Sequence, residues 1–302
     1  MSIGAGELNA PHVTASVIIV NYHAYPELTA CLESLARQTL SSIEIILVDH
    51  DSDADAATAV SRRFPAVHLV PIATNPGFAA GINRGAALAR GAYLWLLNPD
   101  AVAEPDACRT LIDWMDAHLD VAVAGSLVRD RDGSIQGSAR RFPGFTTSIA
   151  GRASWLTRFF PGNPLSRMNV LTRPGVIAPV DVDWVSGASM MVRRDAFVAV
   201  SGMDEGFFLY WEDADLCFRL KRAGWRTVYC PLASVTHLCG RSSRSSPASI
   251  VAFHRSAYRY FTKHAGAALR LARPLVYAGL TLRMRALLLL NDRTASSDGP
   301  RP

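Results

Sequence analysis

What most limits how this chain can fold is a set of short apolar runs that stop at polar residues. Val17-Ile18-Ile19-Val20 ends at Asn21-Tyr22, and Ile45-Ile46-Leu47-Val48 ends at Asp49-His50-Asp51. Val67 to Ile72 is a third run, and Tyr93 to Leu97 is a fourth that ends at Asn98-Pro99-Asp100. Runs this short, and apolar along their whole length, read as strands buried on both faces. Segments of helical spacing lie between them. Leu28, Cys31, Leu32 and Leu35 repeat at i, i+3, i+4 and i+7 after Pro26, which a first helical turn tolerates. A short helix is expected to end near Arg63, and an Ala-rich one to run from Ala79 to Arg90, closed by Gly91. This alternation predicts an α/β fold, a Rossmann-like, mostly parallel sheet flanked by helices.

In a parallel sheet the tips Asn21, Asp49 with Asp51, and Asn98 with Asp100 share one rim. That rim is the carboxyl end of the strands, where open α/β sheets place their ligands. Pro99 fixes its own φ and holds Asn98 extended, so the last tip is stiff. Its oxygens suit Mg²⁺ or Mn²⁺ holding a diphosphate. A plain strand-ending turn is the alternative, since Asn, Pro and Asp are all common turn residues.

Composition narrows the class. With 302 residues, 49% of them hydrophobic, the chain can build one or two full-sized cores. A net charge of +5 suits small anionic partners. No dense Lys/Arg run interleaved with aromatics occurs, which argues against nucleic acid. The five cysteines are scattered and form no CxxC pair, so neither a zinc site nor a disulfide framework is indicated. Residues 1–13 read as a flexible leader without the pattern of a secretory signal, and a cytoplasmic address is expected. No G-x-G-x-x-G follows the first run, where Asn21-Tyr22-His23-Ala24-Tyr25-Pro26 stands, so a dinucleotide-binding dehydrogenase is a poor fit.

Further on, Pro105 to His118 reads as a helix, Val121 to Leu127 as a strand and Asp132-Gly133 as a hairpin turn. Residues 137–180, punctuated by prolines and glycines, are either a long loop over the rim or a short helical hairpin. Strands are expected at Val180 to Trp184 and Ser189 to Val192, around Ser186-Gly187-Ala188. The next helix opens at Glu212-Asp213-Ala214-Asp215 and runs to Ala223. Asp213, Leu216 and Leu220 share a face at i, i+3 and i+7, so Asp213 heads the apolar stripe while Asp215, Arg219 and Arg222 point elsewhere. Acids in the first turn complement the helix dipole, which accounts for Glu212 and Asp215. It does not account for a carboxylate leading the buried face, and such carboxylates concentrate at functional sites. Val228 to Cys230 reads as a strand. His237 leads into Gly240-Arg241-Ser242-Ser243-Arg244, a loop suited to closing over phosphate. Residues 247–264 read as a helix.

Together these stretches resemble family 2 glycosyltransferases, in particular the bacterial rhamnosyltransferase-like group, whose fold is GT-A. The matching segments are Ser16 to Tyr22, Asn75 to Gly85, Leu96 to Asp100, Val182 to Ala188 and Phe207 to Cys217, with His237, Gly240, Ser242 and Ser243 closing the series. They cover about residues 14–265. The resemblance implies a GT-A catalytic domain over 14–240, with a nucleotide half at about 14–127 and an acceptor half at about 128–240. A C-terminal helical extension at 241–290 and a disordered tail at 291–302 would follow.

The resemblance also implies an inverting transfer. The donor would be a nucleotide-diphosphate sugar, dTDP-rhamnose or another dTDP, UDP or GDP sugar. The acceptor would be a hydroxyl of a cell-surface glycan or lipid-linked molecule. Inversion needs a general base, for which Asp213 and then Glu212 are the candidates. It also needs positive charge at the leaving diphosphate, which Mg²⁺ or Mn²⁺ on Asp100 and His237 would give. Nucleotide-sugar contacts are expected from Asn21, Tyr22, Asp49, Asp51, Asn75, Gly77, Phe78, Gly81, Asn83, Arg84 and Asn98. Among these, Asp49 would accept from the pyrimidine, Asn75 and Arg84 would hold the nucleotide or its phosphates, and Gly77 and Gly81 would let backbone approach the ligand. Trp184, Gly187 and Trp211 are expected to meet the acceptor.

Three departures from the family pattern stand out. Asp51 replaces the usual Gly of Val-Asp-Asn-Gly-Ser and adds a negative charge near the nucleotide. His23-Ala24-Tyr25 replaces small polar residues. Of the usual two or three metal-motif acids, only Asp100 is kept. These changes leave a second reading open, a catalytically silent nucleotide-sugar-binding module of the same fold.

After Gly266 the chain is apolar but interrupted by Arg270, Arg273, Arg283 and Arg285. The uncharged run from Pro274 to Leu282 is far shorter than the roughly 20 residues that span a bilayer. A helix lying on the inner face of the plasma membrane is expected, with its arginines reaching lipid heads. Packing back on the catalytic domain, or pairing in a homodimer, is the alternative.

Overall fold

The computed structural model describes residues 13–51, 53–142, 170–172, 175–238 and 246–297. The readings for the leader, most of 137–180, the Gly240-to-Arg244 run and the end of the tail lie outside the described residues. The first four strands are β1 (Ala15–Asn21), β2 (Ile43–Asp49), β3 (Val67–Pro71) and β4 (Tyr93–Leu97). They run parallel in the order β3-β2-β1-β4. Helices α1 (Tyr25–Ala36), α2 (Ala54–Arg63) and α3 (Phe78–Leu88) make the crossovers.

Side chains alternate along each strand, and here both faces are apolar. Val17, Ile19, Trp95 and Leu97 pack with Leu28, Leu32 and Leu35 of α1 and with Leu111 and Met115 of α4 (Ala107–Asp116). Ile18, Val20, Leu94 and Leu96 pack on the other side with Ile82 of α3. That cluster also takes in Leu216 and Leu220 of a later helix (Glu212–Arg222). The central strands are thus covered twice, which is why they read as unbroken apolar runs.

Beyond β4 the pattern changes. Strand β5 (Ala101–Ala103) is followed by β6 (Val121–Arg129), β7 (Ala139–Arg140), β8 (Val180–Val182), β9 (Trp184–Val185), β10 (Ser189–Arg193) and β11 (Arg226–His237). Strand β10 inserts antiparallel between β4 and β6, and β11 lies parallel to β6. Strands β5 and β8 pair antiparallel with β11. The reading of Val228 to Cys230 as the whole strand is corrected: β11 is far longer. A register shift between Cys230 and Ser234, around Pro231, breaks its pattern. His237 therefore ends a strand, opposite Ala101 of β5.

Helices α5 (Arg194–Ala199) and α6 (Glu212–Arg222) follow β10, and α7 (Pro247–His264), α8 (Ala267–Arg270) and α9 (Arg273–Ser297) close the chain. Ser246 caps α7 by accepting from the Ser249 N–H. Tyr260 of α7 packs with Phe207 and with Ala214 of α6, so α7 is built against the start of α6. Helix α9 lies on α7 through an edge contact of Tyr277 with Tyr258, the Arg283 guanidinium over Phe253, and a bond from Arg273 to the Thr262 carbonyl. Among the described residues no helix is long and apolar enough to cross a membrane.

Candidate active site

The parallel register of β1 and β2 sets Asn21 opposite Asp49. Asn21 Nδ2 donates to Asp49 Oδ1 at 2.8 Å, and the Asp51 N–H donates to the same oxygen at 3.2 Å. The Tyr25 hydroxyl, at the start of α1, donates to Asp49 Oδ2. Asp49 is 1% exposed, and three of its roughly four lone pairs are in use. These bonds fix the Asp49 carboxylate at the strand tip, with an acceptor site left over.

Asp51 and His23, two of the departures from the family pattern, are partners. His23 Nδ1 lies 2.8 Å from Asp51 Oδ2, which also accepts the His23 N–H at 3.1 Å. His23 adopts a left-handed φ of 56° to make both contacts. The negative charge of Asp51 is thus set against an imidazole. Tyr22, 51% exposed, lies with its ring centroid 4.1 Å from that of His23.

On the next turn Asn75 Oδ1 accepts the Gly77 N–H at 2.9 Å, and the Asn75 side chain also bonds His50. Burial of His50 pushes its pKa down, so the ring is neutral. His50 sits inside the strand tip singled out in the sequence but was not itself picked. The departure from the family pattern at that tip was the available signal.

Gly77 and Gly81 are also required by packing. A Cβ on Gly77, whose φ is +101°, would stand 2.5 Å from the Phe208 carbonyl oxygen. One on Gly81 would stand 2.8 Å from Val20 and 2.9 Å from His50. Both glycines answer to packing inside the protein. Asn83 is likewise engaged elsewhere. Its Nδ2 donates to Met203 O and Glu205 Oε1, and its Oδ1 accepts the Met203 N–H. Arg84 is exposed on α3.

The pairing of β5 with β11 brings Asp100 to His237. Nε2 of His237 lies 2.9 Å from Asp100 Oδ1 and 3.1 Å from Asn98 Nδ2. Its Nδ1 lies 3.2 Å from Gln136 Oε1, a residue the sequence reading missed. Among the described residues no group of three or more His, Cys, Asp or Glu could hold a metal. One carboxylate and one imidazole still fit a divalent ion whose other ligands are substrate phosphates and water, the usual manner of binding Mg²⁺.

The loop 186–188 borders this pair, because the Asn98 N–H donates to Ala188 O at 3.1 Å. From the same loop the Gly187 N–H donates to Asp213 Oδ2 at 3.2 Å, and Oδ1 accepts the Ala214 N–H at 2.7 Å. The carboxylate of Asp213 is thereby fixed in orientation. Gly187 lies against the Phe78 ring, and the Phe78 N–H donates to Phe208 O. Trp184 donates from Nε1 to Arg141 O and carries the Arg140 guanidinium 5.3 Å above its ring. Contacts thus join Asn98, Gly187, Asp213 and Phe78 of the expected site residues.

The entry to α6 is strained. Tyr210 and Trp211 take left-handed φ values of 68° and 71°, which cost side-chain-bearing residues on the order of 1 kcal/mol each. Helix α7 holds them: Ser256 Oγ donates to Leu209 O, and the Trp211 ring packs 5.1 Å from Tyr260 and 5.8 Å from Phe253. Among the described residues, Trp211 Nε1 and Glu212 Oε2 are buried without a hydrogen-bond partner. Burial, reinforced by the charge of Asp213, pushes Glu212 up to about 8. Burial also raises Asp213, but the two backbone donors oppose it. Burial and the neighbouring Asp213 charge thus favour the neutral acid at Glu212, while the backbone donors favour the carboxylate at Asp213.

Asp215 is the third acid, and the direction it takes away from the apolar stripe is toward α7. It is fully buried, bonded to Arg219 at 2.7 Å, Lys263 at 2.7 Å and His264 at 2.6 Å. These partners hold its pKa down against the burial penalty. The helix-dipole account fails for Glu212, which is buried rather than solvated.

A sequence model described as Glycosyl transferase family 2 matches residues 16–185. The N-acetylglucosaminyl-diphospho-decaprenol L-rhamnosyltransferase of Mycobacterium tuberculosis is 34% identical over 269 residues, covering 83% of this chain and 85% of that protein. Rhamnosyltransferase WbbL of Escherichia coli is 31% identical over 173 residues, covering 57% of this chain and 62% of that protein. Among solved structures, the mannosyltransferase PcManGT from Pyrobaculum calidifontis, in complex with GDP-Man and Mn²⁺, superposes with a TM-score of 0.58 at 18% identity. It covers 93% of this chain and 80% of that one. GalNAc-T7 with UDP, GalNAc and Mn²⁺ gives a TM-score of 0.58 at 16% identity, covering 89% of this chain and 56% of that one. These likenesses bear out the GT-A fold.

Proposed function

The chain belongs to glycosyl transferase family 2, and we propose that it moves rhamnose, with inversion, from a nucleotide-diphosphate donor to a hydroxyl of a lipid-linked acceptor. The observation that carries this reading is Asp213, fixed by the Gly187 N–H on the loop that also touches Asn98 beside Asp100 and His237. Similarity to the mycobacterial rhamnosyltransferase supports the choice of sugar and the lipid-linked acceptor.

In the proposed reaction the acceptor oxygen bonds to the anomeric carbon as the bond from that carbon to the diphosphate breaks. Asp213 takes the hydroxyl proton, and the nucleotide diphosphate leaves with the electron pair. Gly187 and Ala214 keep the carboxylate aimed, and neutral Glu212 leaves a single negative charge in the pair. Mg²⁺ or Mn²⁺ held by Asp100 and His237 would supply positive charge to the departing diphosphate. Asn98 and Gln136 orient His237 for that task. Tyr22 offers a ring face to the nucleobase, while Trp184 and Trp211 line the acceptor side. The enzyme would work on the inner face of the plasma membrane.

A panel of dTDP, UDP and GDP sugars, with and without a polyprenyl-diphosphate-linked acceptor, tests the reading. The expected result is acceptor-dependent release of nucleotide diphosphate from dTDP-rhamnose, lost in chelator and restored by Mg²⁺ or Mn²⁺. The product should show inverted anomeric configuration by NMR. Donor binding without release under any condition would favour the silent module, and undiminished release in chelator would remove the metal role.

A further inference from the structure

The outer face of α9 is apolar and uncovered. Leu275 is 77% exposed, Leu282 68% and Leu289 64%. They recur every seven residues and so fall nearly in one line along a helix. Exposed Ala278 and Arg285 lie in the same line, and Leu271, in the short connection from α8, is exposed just before it. The other face is already used against α7, through Arg283 on Phe253 and Arg273 on the Thr262 carbonyl. Packing back on the catalytic domain therefore occupies one face and leaves the leucine line to something else.

Charge decides what that something is. Between residues 267 and 291 the chain has four arginines, Arg270, Arg273, Arg283 and Arg285, and no acid. A second copy seated on this face would bring two such helices together with one carboxylate on each, Asp292 near the end of α9, against the four arginines Arg273, Arg283, Arg285 and Arg293. An anionic lipid surface supplies the missing charge, and its acyl boundary receives the leucines while arginine stems reach the head groups.

We propose that the Leu275-Leu282-Leu289 face of α9, flanked by Arg270 and Arg285, is a docking surface for an anionic lipid bilayer. It deepens the lipid-linked acceptor reading and rests on that reading for its purpose, though not for its geometry. The surface is also mechanically joined to the reaction centre. Helix α9 lies on α7, and Lys263 and His264 of α7 hold Asp215 of α6, two residues from Asp213. One unbroken series of contacts runs from the lipid face to the proposed base.

The test is flotation of the full-length protein with vesicles of phosphatidylglycerol and phosphatidylethanolamine, against phosphatidylcholine vesicles and without any acceptor. Because no acceptor is present, failure here would leave the transfer reading standing. The expected result is recovery with the anionic vesicles and little with phosphatidylcholine. Leu275→Glu with Leu282→Glu should weaken that recovery by roughly tenfold or more, since two leucines no longer leave water. The pair is exposed, so folding and donor binding, followed by thermal shift, should hold. Absence of wild-type flotation, or flotation the double variant keeps, overturns the proposal. So does a micromolar dimer, seen by sedimentation velocity, that the same variant dissolves.

Discussion

The polar rim at the tips of β1 and β2 and the wall at the entry to α6 are built on opposite principles. On the rim, polar side chains satisfy one another: Asn21 and Tyr25 on Asp49, His23 on Asp51, Asn75 on the Gly77 N–H. His50 Nε2 is the exception. On the wall, Tyr210 and Trp211 are strained, and Trp211 Nε1 and Glu212 Oε2 are buried with no partner among the described residues. A buried unsatisfied group costs about 1–3 kcal/mol. Nothing local offsets that cost, and the support comes from outside, through the aromatic and ionic contacts of α7. The rim is held by its own side chains, whereas the wall is held by a helix some 50 residues further along the chain.

The largest expected effect sharpens this contrast. Asp213→Asn keeps the shape of the wall but removes the base, and should cut transfer by about 10²–10⁴-fold. Donor affinity, which belongs to the rim, should stay within a few-fold. Steady-state kinetics with calorimetric donor titration reads both. Near-normal turnover would move the base to another group, with Glu212 next. A smaller effect is expected from Tyr25→Phe. It deletes one hydrogen bond to a buried carboxylate, worth about 1.5–3 kcal/mol. The loss should show in urea unfolding, with the transfer rate of the folded enzyme little changed. An unchanged midpoint would mean that the rim does not depend on its own internal bonds.

The same contrast explains what the sequence reveals. Strands β1 to β4 were legible because burial on both faces leaves unbroken apolar runs, and the parallel register put Asn21 beside Asp49 as expected. Strand β11 was not, because Pro231 and the register shift interrupt its pattern. The partners of Asp215 were hidden for a different reason. Spacing along α6 identifies the face toward the sheet, but α6 is covered on a second side by α7, whose contribution lies some 50 residues away in sequence. Gly77 and Gly81 are required by Phe208, Val20 and His50, which no local pattern reports. The pairing of His23 with Asp51 spans 28 residues and is visible only once the two strand ends are side by side.

The smallest expected effect concerns Glu212, and it tests whether the wall truly holds a proton in waiting. Burial and the neighbouring charge of Asp213 lift Glu212 from 4.5 to about 8. Between those values the folded protein keeps the proton and the unfolded chain has lost it. The folded state then binds more protons, so stability falls as pH rises through this window and levels off above it. Glu212→Gln keeps the shape and removes the titration. At about pH 3.5, a full unit below the unfolded value, variant and wild type should melt within a degree or two of each other, since both side chains are largely neutral in both states. As pH is raised the wild type should lose stability relative to the variant, and the gap should stop widening near pH 8. Comparing the two proteins in the same buffers cancels the titrating groups that do not interact with Glu212, Asp213 being the one coupled to it. The variant should also keep turnover within a few-fold, because a neutral amide replaces a neutral acid next to an unchanged Asp213. A constant gap across the pH series would show that Glu212 is ionised in the folded protein. The wall would then carry two charges, and the division of labour between Glu212 and Asp213 would not hold.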